Sequence, residues 1–175
     1  MKVQPFGTSF SSAQTFTNAT YGSAVSELTL GKPGNTADIT IGSAVNVAGP
    51  VSVYGGNITV NAPVTATNDM VYLGATGTVT DGATGYIVAD KLALVGGAVT
   101  LDHASNSVNT LAASNVSAVT YANAGALTIG IVNPTGITAT GDVRIETLTG
   151  DLTVSENIST TSTTVNAILL NACSE

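Results

Sequence analysis

The chain has 175 residues, 43% of them hydrophobic, which is enough for one domain with a packed core and too much for a disordered segment. Only 9% are charged and the formal charge is −7; with just Lys2, Lys32, Lys91 and Arg144 as cations, the clustered positive charge that nucleic acid and anionic lipid require is missing, which excludes both as partners. Thr, Ser, Asn, Ala and Gly stand where most soluble domains carry Lys and Glu. This is a strand and turn vocabulary, and no segment offers the long polar side chains of a surface helix.

In chain order, the start MKVQPFGTSFSS lacks the apolar centre of a signal peptide, and no run approaches membrane-spanning length, so no membrane insertion is expected. Residues 1–27 are rich in Ser and Thr and hold Phe6, Phe10, Phe16 and Tyr21. They are predicted to form an irregular cap or an adjoining coil of unlike sequence. The end of a repetitive β-structure exposes core and unpaired strand edges, and so needs covering.

From residue 28 onward one short unit recurs: a small residue, a variable one, then aliphatic, Thr, aliphatic. It reads DITI at Asp38–Ile41, NITV at Asn57–Val60, AVTL at Ala98–Leu101, ALTI at Ala126–Ile129 and DLTV at Asp151–Val154. Ala37 precedes the first unit, and Gly56, Gly97, Gly125 and Gly150 precede the other four. The starts at 38, 57, 98, 126 and 151 are separated by 19, 41, 28 and 25 residues, and a weaker copy from Gly77 to Thr80 divides the step of 41. A period near 20 that lengthens after Leu101 indicates a solenoid whose turns accept insertions.

Each strong unit has an upstream strand a few residues earlier, at Leu28–Leu30, Val51–Val53, Leu92–Leu94, Val119–Tyr121 and Val143–Ile145. Alternation along a strand sends the aliphatics inward and the central Thr outward. Hairpins would lead to a sandwich or barrel instead. Strands of three to five residues and corners without an Asn-Gly or Asp-Gly turn at the Gly pairs favour coiling. The expected fold is therefore all-β: a right-handed parallel β-helix, or β-solenoid, over residues 28–175 with about 20 or more residues per coil.

In that arrangement Ile39, Ile58, Val79, Val99, Leu127 and Leu152 are expected to stack as one aliphatic column. Thr40, Thr59, Thr100, Thr128 and Thr153 form the predicted exposed Thr face. Asn57, Asn61, Asn106, Asn109, Asn115 and Asn123 suit turns in which amides ladder between coils, and Pro33, Pro50, Pro63 and Pro134 suit strand edges. The apolar run Ala167–Leu170 has no polar cap after it. Residues 28–175 are accordingly expected to be an excerpt of a longer repetitive chain, or to meet a stacking partner at that end.

The stretches GGNITVNAPVTATN, IGSAVNVAGPVSVYGGNITV and NAGALTIGIVNPTGITATGDVRIETLTGDLTVSENISTT resemble the passenger repeats of filamentous-haemagglutinin-like and autotransporter-type bacterial adhesins. The resemblance covers most of residues 28–171 and lies in repeat grammar, not in a catalytic signature. It implies a β-helical shaft, secretion or display on the bacterial surface, and attachment to a host-cell or matrix glycan or protein. The secretion domain typical of that family is not recognisable in this sequence.

Candidate chemistry is sparse. His103, the only histidine, follows Asp102 and has no Ser elbow or Cys context, so it is expected to be a turn residue. Some β-helices cleave polysaccharides with acids on neighbouring coils, and the available sets are Asp81, Asp90 and Asp102, or Asp142, Glu146 and Asp151. Few substrate-clamping residues accompany them, namely Lys91, Arg144 and Tyr86. No catalytic residue, metal site or cofactor is expected, since Gly-Gly-x-Gly-x-Asp calcium repeats are absent. Cys173 is alone and forms no intrachain disulfide. The expected role is structural and adhesive. A glycan-binding or polysaccharide-active β-helix is the alternative, with an ice-binding Thr array behind it, because the paired Thr65/Thr67, Thr78/Thr80 and Thr138/Thr140 do not recur at one position per coil.

Overall fold

The structure, a computed structural model, describes residues 1–17 and 24–173; Tyr21, grouped above with the phenylalanines, lies outside them. Among the described residues there is no helix. Parallel strands stack into a β-solenoid of about 7 turns with about 21 residues in each.

Each complete turn has three faces. The third, read in chain order, is the simplest: Gln14–Phe16, Ile39–Ile41, Ile58–Val60, Thr78–Asp81, Ala98–Leu101, Ala118–Asn123, Val143–Thr147 and Ile168–Ala172 form an 8-stranded sheet in which every neighbour is one coil away. The second face holds Lys2–Val3, Leu28–Leu30, Val51–Gly55, Ile137–Ala139 and Ile158–Thr160. The first holds Val45–Val47; Leu127–Ile129 and Leu152–Val154 stack onto Ser107–Val116 just past its corner, with Thr128 and Ile129 beside Thr110 and Leu111. Between these sets, Val64–Ala75, Ile87–Val95 and Ser107–Val116 run from the first face around a corner onto the second.

Those three strands are 12, 9 and 10 residues long, well beyond the three to five expected from the sequence. An irregularity between Ala89 and Lys91 bends them at the corner, with Asn68 opposite in a left-handed conformation at φ 56°. No Gly marks this corner. The alternation of apolar and polar residues simply shifts phase there, which is why sequence patterning sees two faces where the chain has three.

Inward aliphatics fill the interior. Leu28, Leu30, Ile39, Ile41, Ile58, Leu73, Ile87, Leu92, Leu94, Leu101 and Leu111 are fully buried, and Tyr121 joins them. Each such side chain contributes about 1.5–3 kcal/mol of transfer free energy, and no single coil has enough of them to pack alone. On the third face the column runs Ile39, Ile58, Val79, Val99, Val119, Val143 and Ile168. Leu127 and Leu152, expected to extend it, pair with each other in the other sheet instead.

Val119–Tyr121 and Val143–Ile145, read from sequence as upstream strands, are themselves third-face members. The reason is physical: aliphatic-Thr-aliphatic specifies one buried side and does not say which of three walls around a shared core it builds.

Among the described residues of the N-terminal segment, strands already join both sheets. Lys2–Val3 pairs with Thr29–Leu30 and Gln14–Phe16 with Ile39–Ile41, so residues 1–17 form a coil of unlike sequence. Val3, Phe10 and Phe16 pack partly buried against the core. At the other end Ile168 and Leu170 take the inward positions of Val143 and Ile145, yet remain 42% and 38% exposed.

Candidate functional site

Outward on the third face, Thr15, Thr40, Thr59, Thr80, Thr100 and Thr120 occupy one position on successive coils. The ladder ends where Arg144 and then Leu169 take its place. Thr40, Thr59 and Thr100 lie on it. Thr128 and Thr153 do not: they stack with Thr110 in the other sheet. Thr15 was hidden in the presumed cap, Thr80 in the weak repeat, and Thr120 in a strand assigned to another wall.

The paired threonines do fall on different faces, with Thr65 in the first, Thr78 and Thr80 in the third and Thr138 in the second. Beside the ladder runs a second chain of contacts. Asp38 accepts from the Asn57 backbone and side-chain amides at 2.7 and 3.0 Å, and Asn57 Oδ1 accepts from the Thr78 N–H and hydroxyl at 2.9 Å each. Because Asp, Asn, Thr and Ala alternate along that row, the Thr ladder is one residue wide. Each Thr–Thr step across strands contributes about 0.2–1 kcal/mol to the sheet.

Three asparagines are buried at corners: Asn35, Asn106 and Asn123. Their amides replace strand partners at the borders of the third face, Asn35 where the chain enters it and Asn106 and Asn123 where it leaves. Asn106 Oδ1 accepts the Ile87 N–H at 2.8 Å while its Nδ2 donates to Leu101 O and to Asp81. Asn123 Oδ1 accepts from the Val108 N–H and the Tyr121 hydroxyl, both at 2.9 Å, and its Nδ2 donates to the carbonyls of Val108, Gly125 and Ala126. Burial, with Asp81 nearby, raises the Tyr121 phenol above its ordinary value, so it stays a neutral donor. Asn35 makes the same kind of corner, and it was not among the asparagines singled out from sequence.

The acids predicted as sets are mostly dispersed. Asp81 receives the backbone N–H groups of Asp102 and His103, while Asp90 sits at another corner and accepts from Asn109 Nδ2 at 3.0 Å. His103 is a turn residue: Nε2 lies 3.2 Å from Ala83 O, Nδ1 accepts the Ser105 N–H, and its ring stacks on Tyr86 at 5.6 Å. Asp102, Arg144 and Glu146 line a shallow cleft of about 170 Å³ with Tyr121 as its inner wall. Among the described residues no group of three His, Cys, Asp or Glu is placed to hold a metal. Cys173 is exposed and free.

Asp142 accepts from the Ser162 and Thr164 hydroxyls at 2.6 and 2.8 Å, and these bonds hold its carboxyl below the ordinary value. A depressed folded-state value means stability that is present in neutral solution and lost as pH falls through that value. Asp142→Asn is therefore expected to flatten the acid limb of the melting-temperature profile while leaving the alkaline limb unchanged. Parallel acid limbs in the two proteins would show that the carboxylate contributes nothing there.

No protein-family profile, no curated protein and no solved structure matches this chain.

Proposed function

We propose that this chain is a structural and adhesive shaft segment of a secreted or surface-exposed bacterial protein, serving fibre formation and attachment without catalysis. The observation that carries this reading is the unbroken stack of parallel coils. Three walls run in parallel register from Lys2–Val3 to Ile168–Ala172, giving a rod of about 34 Å at ~4.8 Å per coil, and its last coil presents Val154, Ile168 and Leu170 uncovered. Such an end, with unpaired strand edges around exposed aliphatics, is a template for another coil. The likeness of the repeats to exported adhesin passengers supports a place outside the cell.

Sedimentation velocity over a hundredfold concentration range tests the reading. The chain is expected to associate end to end as concentration rises, and the double variant Ile168→Lys/Leu170→Lys to remain monomeric with an unchanged circular dichroism spectrum. A chain that stays monomeric throughout, or a variant that associates like the parent, would overturn it.

A further inference from the structure

Tyrosine is scarce in this chain, and two of its five residues meet on the outer side of the second face. Ser52 pairs with Tyr72 and Tyr54 with Gly74 on the next coil, which brings the Tyr54 and Tyr72 rings to 5.1 Å between centroids at a 41° tilt. Gly74 is what lets the rings lie down on the sheet. A Cβ there would sit 2.8 Å from Tyr72 Cε1 and 3.3 Å from Tyr54 Cδ1. The rings form the base of a groove of about 360 Å³, walled by Pro33 and Asn35 on one side and Val95 on the other.

The groove is preorganised. Asn35 is 2% exposed, and its Nδ2 donates to the Tyr54 carbonyl at 2.7 Å, tying the wall to the backbone beneath the ring. Among the described residues neither phenol oxygen has a hydrogen-bond partner, so each is free to donate and accept. Partial burial and the neighbouring Tyr54 raise the Tyr72 phenol, which keeps it a neutral donor. No Asp, Glu, Lys or Arg lines the groove.

A ligand that fits must offer a flat C–H surface to the electron-rich ring faces, hydroxyls to the phenols, and no charge. We propose that the Tyr54–Tyr72 groove is a binding subsite for a neutral pyranose unit of an oligosaccharide. A proline-rich peptide also docks on aromatic grooves, but its helix advances about 3.1 Å per residue and uses a succession of aromatic pockets, whereas this groove has one ring pair. The assignment goes beyond the shaft reading and does not depend on it.

The chain has no Trp and five Tyr, two of them in the groove, so the part of the intrinsic fluorescence change that is lost in Tyr54→Ala and Tyr72→Ala reports the groove. Titration with cellohexaose, laminarihexaose and maltohexaose, checked by calorimetry, is expected to give saturable binding to at least one, with Kd between about 10 μM and 1 mM. Tyr54→Ala and Tyr72→Ala should each weaken binding about tenfold or more, Tyr72→Phe less, and Tyr86→Ala not at all. Circular dichroism of each variant confirms that the solenoid is intact. Failure of all three sugars to saturate, equal binding by the alanine variants, or binding of a proline-rich decapeptide in place of the sugars would each overturn the assignment. End-to-end association is read separately by sedimentation and is unaffected by these outcomes.

Discussion

Replacing Asn123 by alanine is expected to lower the thermal midpoint by about 6–12 °C. One side chain satisfies the Val108 N–H and carbonyl, the Tyr121 hydroxyl, and the carbonyls of Gly125 and Ala126. Asn123 is 1% exposed and Tyr121 equally so. A buried polar group left without a partner costs about 1–3 kcal/mol. Even with partial repair by water, a net loss of about 3 kcal/mol follows, and at this chain length each kcal/mol shifts the midpoint by about 2–4 °C. Calorimetry on Asn109→Ala provides the contrast. Its amide reaches Asp90 at 3.0 Å in an exposed position, so that substitution should stay within about 0.5 kcal/mol. Equal effects at the two positions would show that burial of the corner amide is not what stabilises the coil.

Gly97→Val is expected to destabilise by about 3 kcal/mol or more, read as a fall in the urea midpoint with unchanged slope. Gly97 has φ +71°, and a Cβ there would stand 2.2 Å from the backbone oxygen of Gly77 in the preceding coil. The left-handed conformation alone costs an L residue about 1–2 kcal/mol, and a β-branched one more. The clash is with backbone, so the two coils must part. That stretches the bonds from the Ala98 N–H to Gly77 O and from the Ser117 N–H to Gly97 O, now 3.0 and 2.7 Å. Gly125 also precedes a repeat unit, yet its Cβ would meet nothing within 4 Å. Gly125→Ala should leave the protein as stable or raise stability by about 0.4–1 kcal/mol. A Gly97→Val protein that melts with the parent would mean that the coils are not stacked in this register.

Both predictions concern corners, and corners are where sequence reading and structure part. Gly56, Gly77 and Gly97 were legible because the chain needs them for close approach before Asn57, Thr78 and Ala98. The bend inside Val64–Ala75 was not legible, because there Asn68 and Asp69 turn the strand without a glycine or proline signal. Missing that bend hid the first face. The Thr ladder suffered in the same way: Thr40, Thr59 and Thr100 were found from the motif, whereas Thr15, Thr80 and Thr120 join them only through strand register.

The tyrosine groove shows the limit most sharply. Tyr54 and Tyr72 are 18 positions apart in sequence, less than one coil, and only the pairing of Ser52 with Tyr72 makes them neighbours.

What the sequence determined by itself is the kind of object. Alternating aliphatics at a period near 20, with almost no charge to solvate a helix, leave stacked parallel coils as the way to bury those faces. What the tertiary structure decided is the number of walls, the membership of each row and the meeting of side chains across coils. The reason is that an alternating strand encodes which of its sides is buried, while coil-to-coil register is set by where corners turn, and the decisive corners are held by buried asparagine amides and a shifted strand whose local sequence looks like any other polar turn.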